Sequence, residues 1–120
     1  MSYTSISITA PDNAEQGELV SMSTLVTNIS AHSLLFEIKL YAVRDIYAVP
    51  TPEETIGSLE VNIGSGQSQS VSGTFIMPAW DTTIVTMVYR FIDVWDFDTY
   101  ATKVVTLSHY VLLTSLQLRP

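Results

Sequence analysis

The sequence predicts an all-β domain, a sandwich of about seven antiparallel strands with an apolar extension at its carboxyl end. Apolar and polar side chains alternate along most of the chain, and this period of two is typical of strands that bury one face. Clusters of Gly, Pro, Asn and Ser separate the alternating runs and indicate turns. No run shows a convincing helical period. These observations together favour two sheets around one core.

The stretch 71–93, VSGTFIMPAWDTTIVTMVYRFID, is the clearest part of this pattern. We interpret it as two strands joined by a short connection that carries Pro78, Trp80 and Asp81. Gly73 leaves a gap on the first of the two strands. The residues that share a face are Val71, Phe75 and Met77 in the first strand and Val85, Met87, Tyr89 and Phe91 in the second. We expect such faces to form one core.

The other predicted strands lie on both sides of this stretch and cover residues 3–10, 18–27, 34–43, 56–63 and 100–107. Residues 44–55 are predicted to form a long loop or an edge excursion, because two prolines cannot sit in a central strand. Residues 93–99, DVWDFDT, are predicted to form an acidic aromatic loop. Lys103 falls on the apolar face of the last strand, so it either reaches out from the sheet end or marks a register error.

Composition limits the function. The 120 residues suffice for one domain, and only 14% of them are charged, which suits either a subunit partly covered by neighbours or a small β protein. The net charge is −7 and the five basic residues are scattered, so no nucleic-acid partner is expected. The absence of cysteine excludes disulfides and thiolate chemistry. Neither a signal peptide nor a membrane span is evident.

Two stretches resemble a known fold family. Residues 6–28, ISITAPDNAEQGELVSMSTLVTN, are similar to the opening of immunoglobulin-like and fibronectin-like surface modules of bacteria and archaea, including the bacterial cell-adhesion-related domain. Residues 59–78, LEVNIGSGQSQSVSGTFIMP, resemble the same modules' Gly-rich turn and the strand that ends in Met-Pro. The resemblance implies an immunoglobulin-like sandwich over 1–108, and similar domains occur in phage virion proteins. It implies a fold rather than an activity.

Chemistry has few candidates in this sequence. Asp93, Asp96 and Asp98 could hold a hard cation such as calcium, but a solvated acidic loop explains them better. His32 and His109 have no partners in a recognisable nucleophile or zinc motif. We therefore predict that the protein is not an enzyme and has no cofactor. The sequence Asn28-Ile29-Ser30 matches a glycosylation acceptor, most simply by chance at a turn.

Aromatic residues are candidates for contact. Trp95 and Phe97 could form a stacking platform for sugars or a protein interface, since rigid aromatic rings are common anchors. We expect Trp80 to plug one end of the sandwich instead. Three further aromatic residues are candidates for the same contact role, namely Tyr41, Tyr47 and Tyr100.

The carboxyl end, residues 109–120, is unusually apolar. A free segment of this kind would aggregate, so it pairs either as an eighth strand of its own domain or as an added strand on a neighbouring subunit. We favour the intersubunit role, because seven strands already complete the fold. A short helix is the alternative structure for this segment. The predicted interface consists of Tyr110, Leu112, Leu113, Leu116 and Leu118, together with Trp95 and Phe97.

The function predicted first is a structural subunit of a large assembly, a phage virion protein such as a capsid decoration or tail-associated protein. Its partners would be other protein subunits, and it would assemble in the host cytoplasm. The alternative is a cell-surface adhesion or carbohydrate-binding module excised from a longer chain, which would use residues 44–55 and 93–99 for recognition.

Overall fold

Two sheets face each other in the structure, a computed structural model that describes residues 2–108. A three-stranded sheet has the order β1-β3-β6, and a five-stranded sheet has the order β2-β8-β7-β4-β5. The strands are β1 (Thr4–Thr9), β2 (Asn13–Ala14), β3 (Leu19–Asn28), β4 (Leu34–Val43), β5 (Thr55–Ile63), β6 (Ser68–Ile76), β7 (Thr82–Ile92) and β8 (Val94–Leu107). A single turn of 3-10 helix, Pro52–Glu54, precedes β5. All pairings are antiparallel except that of β2 with β8.

The core lies between the sheets, as the alternation predicts. On β3 every second residue is buried, and the same period continues on β4, β6 and β8. The residues with at most 2% exposure include Val20, Val26, Phe36, Ile38, Leu40, Met77, Ile84, Val88 and Val105. Only one polar pair crosses the centre of this apolar layer in the described part of the chain. The hydroxyl oxygens of Thr24 on β3 and Thr86 on β7 lie 2.8 Å apart, and both side chains are fully buried.

The face of β7 differs from the expected one. Its inner residues are Ile84, Thr86 and Val88. The predicted set, Val85, Met87, Tyr89 and Phe91, lies together on the outer face of the sheet. Both sides of this central strand are largely apolar, and the strand is buried almost continuously from residue 82 to 88. Period two therefore identified the strand but could not choose the face.

The predicted loop at 93–99 is also wrong. The chain reverses at Asp93, whose φ is +66°, and continues at once as β8. The pairing shifts beyond Val88, which opposes Thr99, while Tyr89 opposes Phe97 and leaves Asp98 in a β-bulge. The W-D-F-D run is itself an alternation of aromatic and acidic residues, so its composition suggested a loop where its period indicated a strand.

Lys103 keeps to the inner face, opposite Ile84, so the register does not slip there. Its ammonium group lies 2.8 Å from the Asp12 carboxylate, just before β2. Side-chain reach from the end of the sheet thus explains the misfit. None of the helical residues in the described part forms a segment long and apolar enough to cross a membrane.

The two long sides of the sandwich are built differently. On one side β5 and β6 meet at two glycines. A Cβ atom on Gly73 would lie 2.7 Å from the Ile56 carbonyl oxygen, and one on Gly57 would lie 3.0 Å from that of Ser72. On the other side, β8 faces the start of β1, and the bulged Asp98 joins them.

Candidate functional site: the aromatic face and its groove

The outer faces of the two sheets have opposite chemistry. The three-stranded sheet presents mainly hydroxyl side chains, at Ser5, Ser7, Thr9, Ser21, Ser23, Thr27, Ser68, Ser70, Ser72 and Thr74. The five-stranded sheet carries Glu37, Lys39 and Glu60 on the outer side of β4 and β5. Along β7 and β8 it presents an apolar surface that, with one residue of β4, we call the aromatic face, made of Tyr41, Val85, Met87, Tyr89, Phe91, Trp95, Phe97 and Tyr100. The second surface is the candidate functional site, because large contiguous apolar patches are rare on isolated soluble domains.

Rings on the aromatic face pack against each other across the β7–β8 hairpin. Phe91 and Trp95 lie 5.2 Å apart between ring centroids, and Tyr89 and Phe97 lie 5.7 Å apart, both edge to face. Phe97 also contacts Tyr100 at 6.3 Å. These geometries are favourable for aromatic pairs, so the rings hold one another in place. Exposure nevertheless remains high, at 40% for Trp95 and 46% for Phe97.

A groove of about 540 Å³ runs along this face. One wall is the sheet itself, through Met87, Tyr89 and Phe97 among others, and the other wall is the segment 46–50. Tyr47 on this segment is 93% exposed, and Val49 is similarly open. The structure thus brings together the two segments that the sequence singled out for recognition, 44–55 and 93–99.

Local hydrogen bonds shape the overhanging segment. The Asp45 carboxylate accepts a hydrogen bond from the Tyr47 amide at 2.9 Å, an arrangement that turns the chain after β4. The Glu54 carboxylate accepts one from the Thr51 amide at 2.8 Å and so closes the turn that leads into β5. Pro50 and Pro52 keep the intervening chain out of the sheet, as predicted. The predicted long loop at 44–55 is therefore confirmed except for its short 3-10 turn.

Titration is perturbed at one group on the aromatic face. Burial raises the pKa of the Tyr41 phenol above its ordinary value, although the charge of Lys39 opposes this effect. The Lys39 ammonium also lies 5.5 Å from the centre of the Tyr89 ring, in cation–π contact. Tyr41 therefore presents a neutral hydroxyl group to the groove over the physiological pH range.

The three predicted metal candidates have separate positions. Asp93 occupies the hairpin turn, Asp96 opposes Arg90 in the ladder, and the side chain of Asp98 is fully buried. The Asp98 carboxylate accepts hydrogen bonds from the amides of Tyr3 and Thr4 and from the Thr4 hydroxyl group. Arg90 adds an ion pair at 3.0 Å.

Its bonds make Asp98 a structural residue in this arrangement. Among residues 2–108, no three Asp, Glu or His side chains gather in a way that could hold a metal ion. Arg90 also lies 4.7 Å from the centre of the Tyr3 ring and donates to the Phe97 carbonyl oxygen at 3.0 Å. The bulge thus ties the amino end of β1 to the strand that carries the aromatic face.

Other predicted site residues have simpler outcomes. Trp80 lies under the guanidinium group of Arg44, 4.5 Å from it, and stays 40% exposed at one end of the sandwich. His32 is exposed in a turn. The remaining candidates lie outside the described residues, namely His109, Tyr110, Leu112, Leu113, Leu116 and Leu118.

The glycosylation match at Asn28 is buried. Its amide group donates to the carbonyl oxygens of His32 at 2.7 Å and Ile63 at 2.9 Å, and its oxygen accepts from Ser30. A side chain that holds the turn in this way cannot carry a glycan without breaking these bonds. The hydrogen bonds to the turn therefore explain why a polar side chain is buried at position 28.

Comparison with solved structures supports the fold. The CARDB domain of the PF1109 protein from Pyrococcus furiosus, solved in complex with di-metal ions, superposes with a TM-score of 0.66. The match covers 88% of this chain and 87% of that one, at 13% identity. A solution structure of the same domain gives a TM-score of 0.60, at 11% identity over 88% of this chain and 94% of that one. The chain has an immunoglobulin-like fold.

The immunoglobulin-like sandwich also occurs as a part of larger proteins. It matches a segment of the β-glucosidase from Listeria innocua with a TM-score of 0.54 and 16% identity, over 88% of this chain but only 16% of the enzyme. A β-glucosidase from Erythrobacter marinus gives 0.52 and 20% identity, with 90% of this chain and 16% of the enzyme covered. No family model and no curated protein matches the sequence.

Sequence reasoning missed half of the aromatic face. It identified Trp95 and Phe97, and it weighed Tyr41, Tyr47 and Tyr100 as contact residues. It placed Met87, Tyr89 and Phe91 in the core, although they lie outside. A signal was present: extending the alternation of W-D-F-D across a tight hairpin would have put Phe91 beside Trp95 on the same face.

Proposed function

We propose that the protein is a non-catalytic binding module of adhesion type that holds a protein partner against its aromatic face. The single observation that carries this proposal is the contiguous row of exposed, pre-packed rings beside a groove lined by Tyr, Val and Pro side chains. Aromatic residues are enriched at the buried centres of protein interfaces, where they supply most of the binding free energy.

The chemistry of the groove favours a protein over a sugar. Sugar sites need several polar groups around a flat open ring, whereas here the rings pack edge to face and the groove walls are largely apolar. The few hydroxyl groups along the groove, such as those of Tyr41 and Tyr100, suit a protein backbone at the rim of an interface.

The structural neighbours support the module interpretation better than the virion interpretation. The fold of this chain is also that of an archaeal CARDB domain, a module related to cell adhesion. The predicted capsid or tail role receives no support from these neighbours. A cell-surface location follows from the same proposal, as does the absence of catalysis.

Binding of the labelled protein to intact cells or cell envelopes of its source tests the proposal. In the double variant Trp95→Ala/Phe97→Ala, we expect the affinity to fall at least about tenfold, because two anchor rings are lost. The matched control is Ser7→Ala/Ser72→Ala on the hydroxyl face, which should bind like the wild type. Circular dichroism of both variants verifies that they fold.

Two outcomes contradict the proposal. Equal binding by the aromatic-face variant and the wild type would place the contact elsewhere. Binding to a glycan array that disappears in Trp95→Ala alone would show a carbohydrate ligand instead of a protein partner.

A further inference from the structure

Strand β8 has a long side without a partner in the described chain. It pairs with β7 from Val94 to Val105, apart from the bulge at Asp98, but on its other side only the two residues of β2 pair with it, opposite Thr106 and Leu107. The amides of Thr106 and Ser108 donate to the carbonyl oxygens of Asp12 and Ala14 on that side. Because backbone groups alternate in direction, those of Tyr100, Thr102 and Val104 face the same way, beyond the amino-terminal end of β2.

This side lacks the usual protection of an edge strand. Natural edges are shielded by outward charges, proline or a covering element. From Thr99 to Val105 the one charged side chain is Lys103, which points inward and pairs with Asp12. Tyr100 is 62% exposed and Val104 is 52% exposed. The opposite edge of the same sheet differs, because β6 approaches β5 closely there.

We propose that residues 109–120 of one copy add as a strand to the open β8 edge of a second copy, and that the two copies exchange these segments about a two-fold axis. Strand addition of this kind gains its affinity from main-chain hydrogen bonds and its specificity from alternating side chains. The segment alternates in the required way, with Tyr110, Leu112, Leu116 and Leu118 on one face.

Length and charge fit this occupant. Twelve extended residues reach about 40 Å, whereas the seven open positions from Thr99 to Val105 need roughly 23 Å, so residues remain for the crossing between copies. The segment contains Arg119 and no acidic residue, in a chain of net charge −7. An antiparallel addition that begins near Val105 directs Arg119 towards Asp96 and Asp93 at the hairpin end.

Exchange between copies is favoured over pairing within one chain because of β2. An antiparallel return of the same chain would have to start beside Thr106 and Leu107, directly after the turn. Those two positions already pair with Asn13 and Ala14. A second copy approaches from beyond this obstacle and meets the open part of the edge.

The test combines two defective variants. Thr102→Pro removes an outward N–H group and so weakens the β8 edge that would receive the added strand, since proline is tolerated on an edge but cannot donate a hydrogen bond. Deletion of residues 109–120 removes the segment that would be added, while every described contact lies within 2–108. Val104→Lys is a second acceptor variant, in case the proline unfolds the chain. Thr102→Ala, which keeps the N–H group, is the matched control.

Light scattering with size-exclusion chromatography gives the result. We expect the wild type and Thr102→Ala at about twice the 13.3 kDa chain mass, and each defective variant at the single mass. Mixing the Thr102→Pro chain with the truncated chain should produce a heterodimer, because one supplies the segment and the other supplies the edge.

Three results overturn the inference. They are a monomeric wild type, a truncated chain that still dimerises, and a mixture that fails to associate although each variant folds. A monomeric wild type would indicate pairing within one chain, and dimerisation of the truncated chain would indicate a different interface. None of them affects the aromatic-face proposal, which is tested by different residues and by a partner other than the protein itself.

Discussion

The two long sides of the sandwich join the sheets by opposite means. On the β5–β6 side the backbones touch, and the contact depends on the absence of side chains at Gly57 and Gly73. On the β1–β8 side a single buried carboxylate, that of Asp98, bridges the sheets and accepts three hydrogen bonds from β1 and its approach. One side is held by close backbone packing and the other by a hydrogen-bonded carboxylate.

This difference explains which side is available for function. The backbone contact leaves no room for another strand beside Ile56 and Gly57, so this part of the β5 edge is covered. On β8 the carboxylate bridge lies at Asp98 and β2 pairs with Thr106 and Leu107, while the positions between them keep an open edge beside the exposed aromatic face. Weakening each closure separately should therefore measure two distinct sources of stability.

The largest effect is expected from Asp98→Ala. The substitution leaves the guanidinium group of Arg90 and two amides without their acceptor, and breaking a buried pair in this way costs about 3 kcal/mol or more of unfolding free energy. Urea denaturation followed by circular dichroism measures the loss. Asp96→Ala, two residues before the bulged Asp98 and exposed, serves as the control and should change stability by less than about 0.5 kcal/mol. Similar values for both variants would mean that the bridge does not hold this side together.

A smaller effect is expected from alanine at the glycine contact. Gly73→Ala places a methyl group 2.7 Å from a carbonyl oxygen and Gly57→Ala places one at 3.0 Å. Overpacking against backbone costs about 1 to 3 kcal/mol, and we expect Gly73→Ala near the upper end and Gly57→Ala near the lower end. Thermal unfolding gives the order. The reverse order would show that β5 and β6 relax apart more easily at Gly73 than the distances indicate.

The smallest effect concerns pH. The hydrogen bond from Lys103, together with its positive charge, lowers the pKa of the Asp12 carboxyl group below its ordinary value. A folded pKa below the unfolded one means that the pair stabilises the protein above about pH 4, near the unfolded pKa, and loses this contribution as the pH falls through the folded pKa. An NMR titration of the Asp12 carboxyl group should show the shift disappear in Lys103→Met but persist in Lys39→Met. An unchanged Asp12 titration in Lys103→Met would contradict the assignment.

The sequence was sufficient for the strands and for the inner faces of all of them except β7. Alternation located β3, β4, β5 and β6 to within one or two residues, except that β6 begins three residues earlier than its first apolar residue, Val71. It predicted the wrong inner face for β7, where apolar residues occupy both sides. It also missed the first part of β8, residues 94–99, because the acidic residues there suggested a loop. A central strand that is apolar on both faces does not show from its sequence which face is inner, so only the neighbours of β7 decide it.

The candidate site was half predictable for the same reason. Trp95 and Phe97 were identified because exposed aromatic residues stand out against acidic neighbours. The groove beside them depends on the segment 46–50 folding over the sheet, a tertiary contact that no local pattern encodes. The role of Asp98 was equally hidden, because its partners at Tyr3 and Thr4 lie more than ninety positions away.

The Thr24–Thr86 hydroxyl pair has a consequence for how this sequence can change over time. Valine at one of the two positions would strand the remaining hydroxyl group inside hydrocarbon, whereas valine at both would restore a uniform interior of nearly the same volume. Any lineage that loses the pair must therefore cross an unfavourable intermediate or change both codons together. Once both residues are apolar, the centre of the interior in the described chain has no polar contact between the two sheets, and no hydrogen bond there fixes their relative alignment.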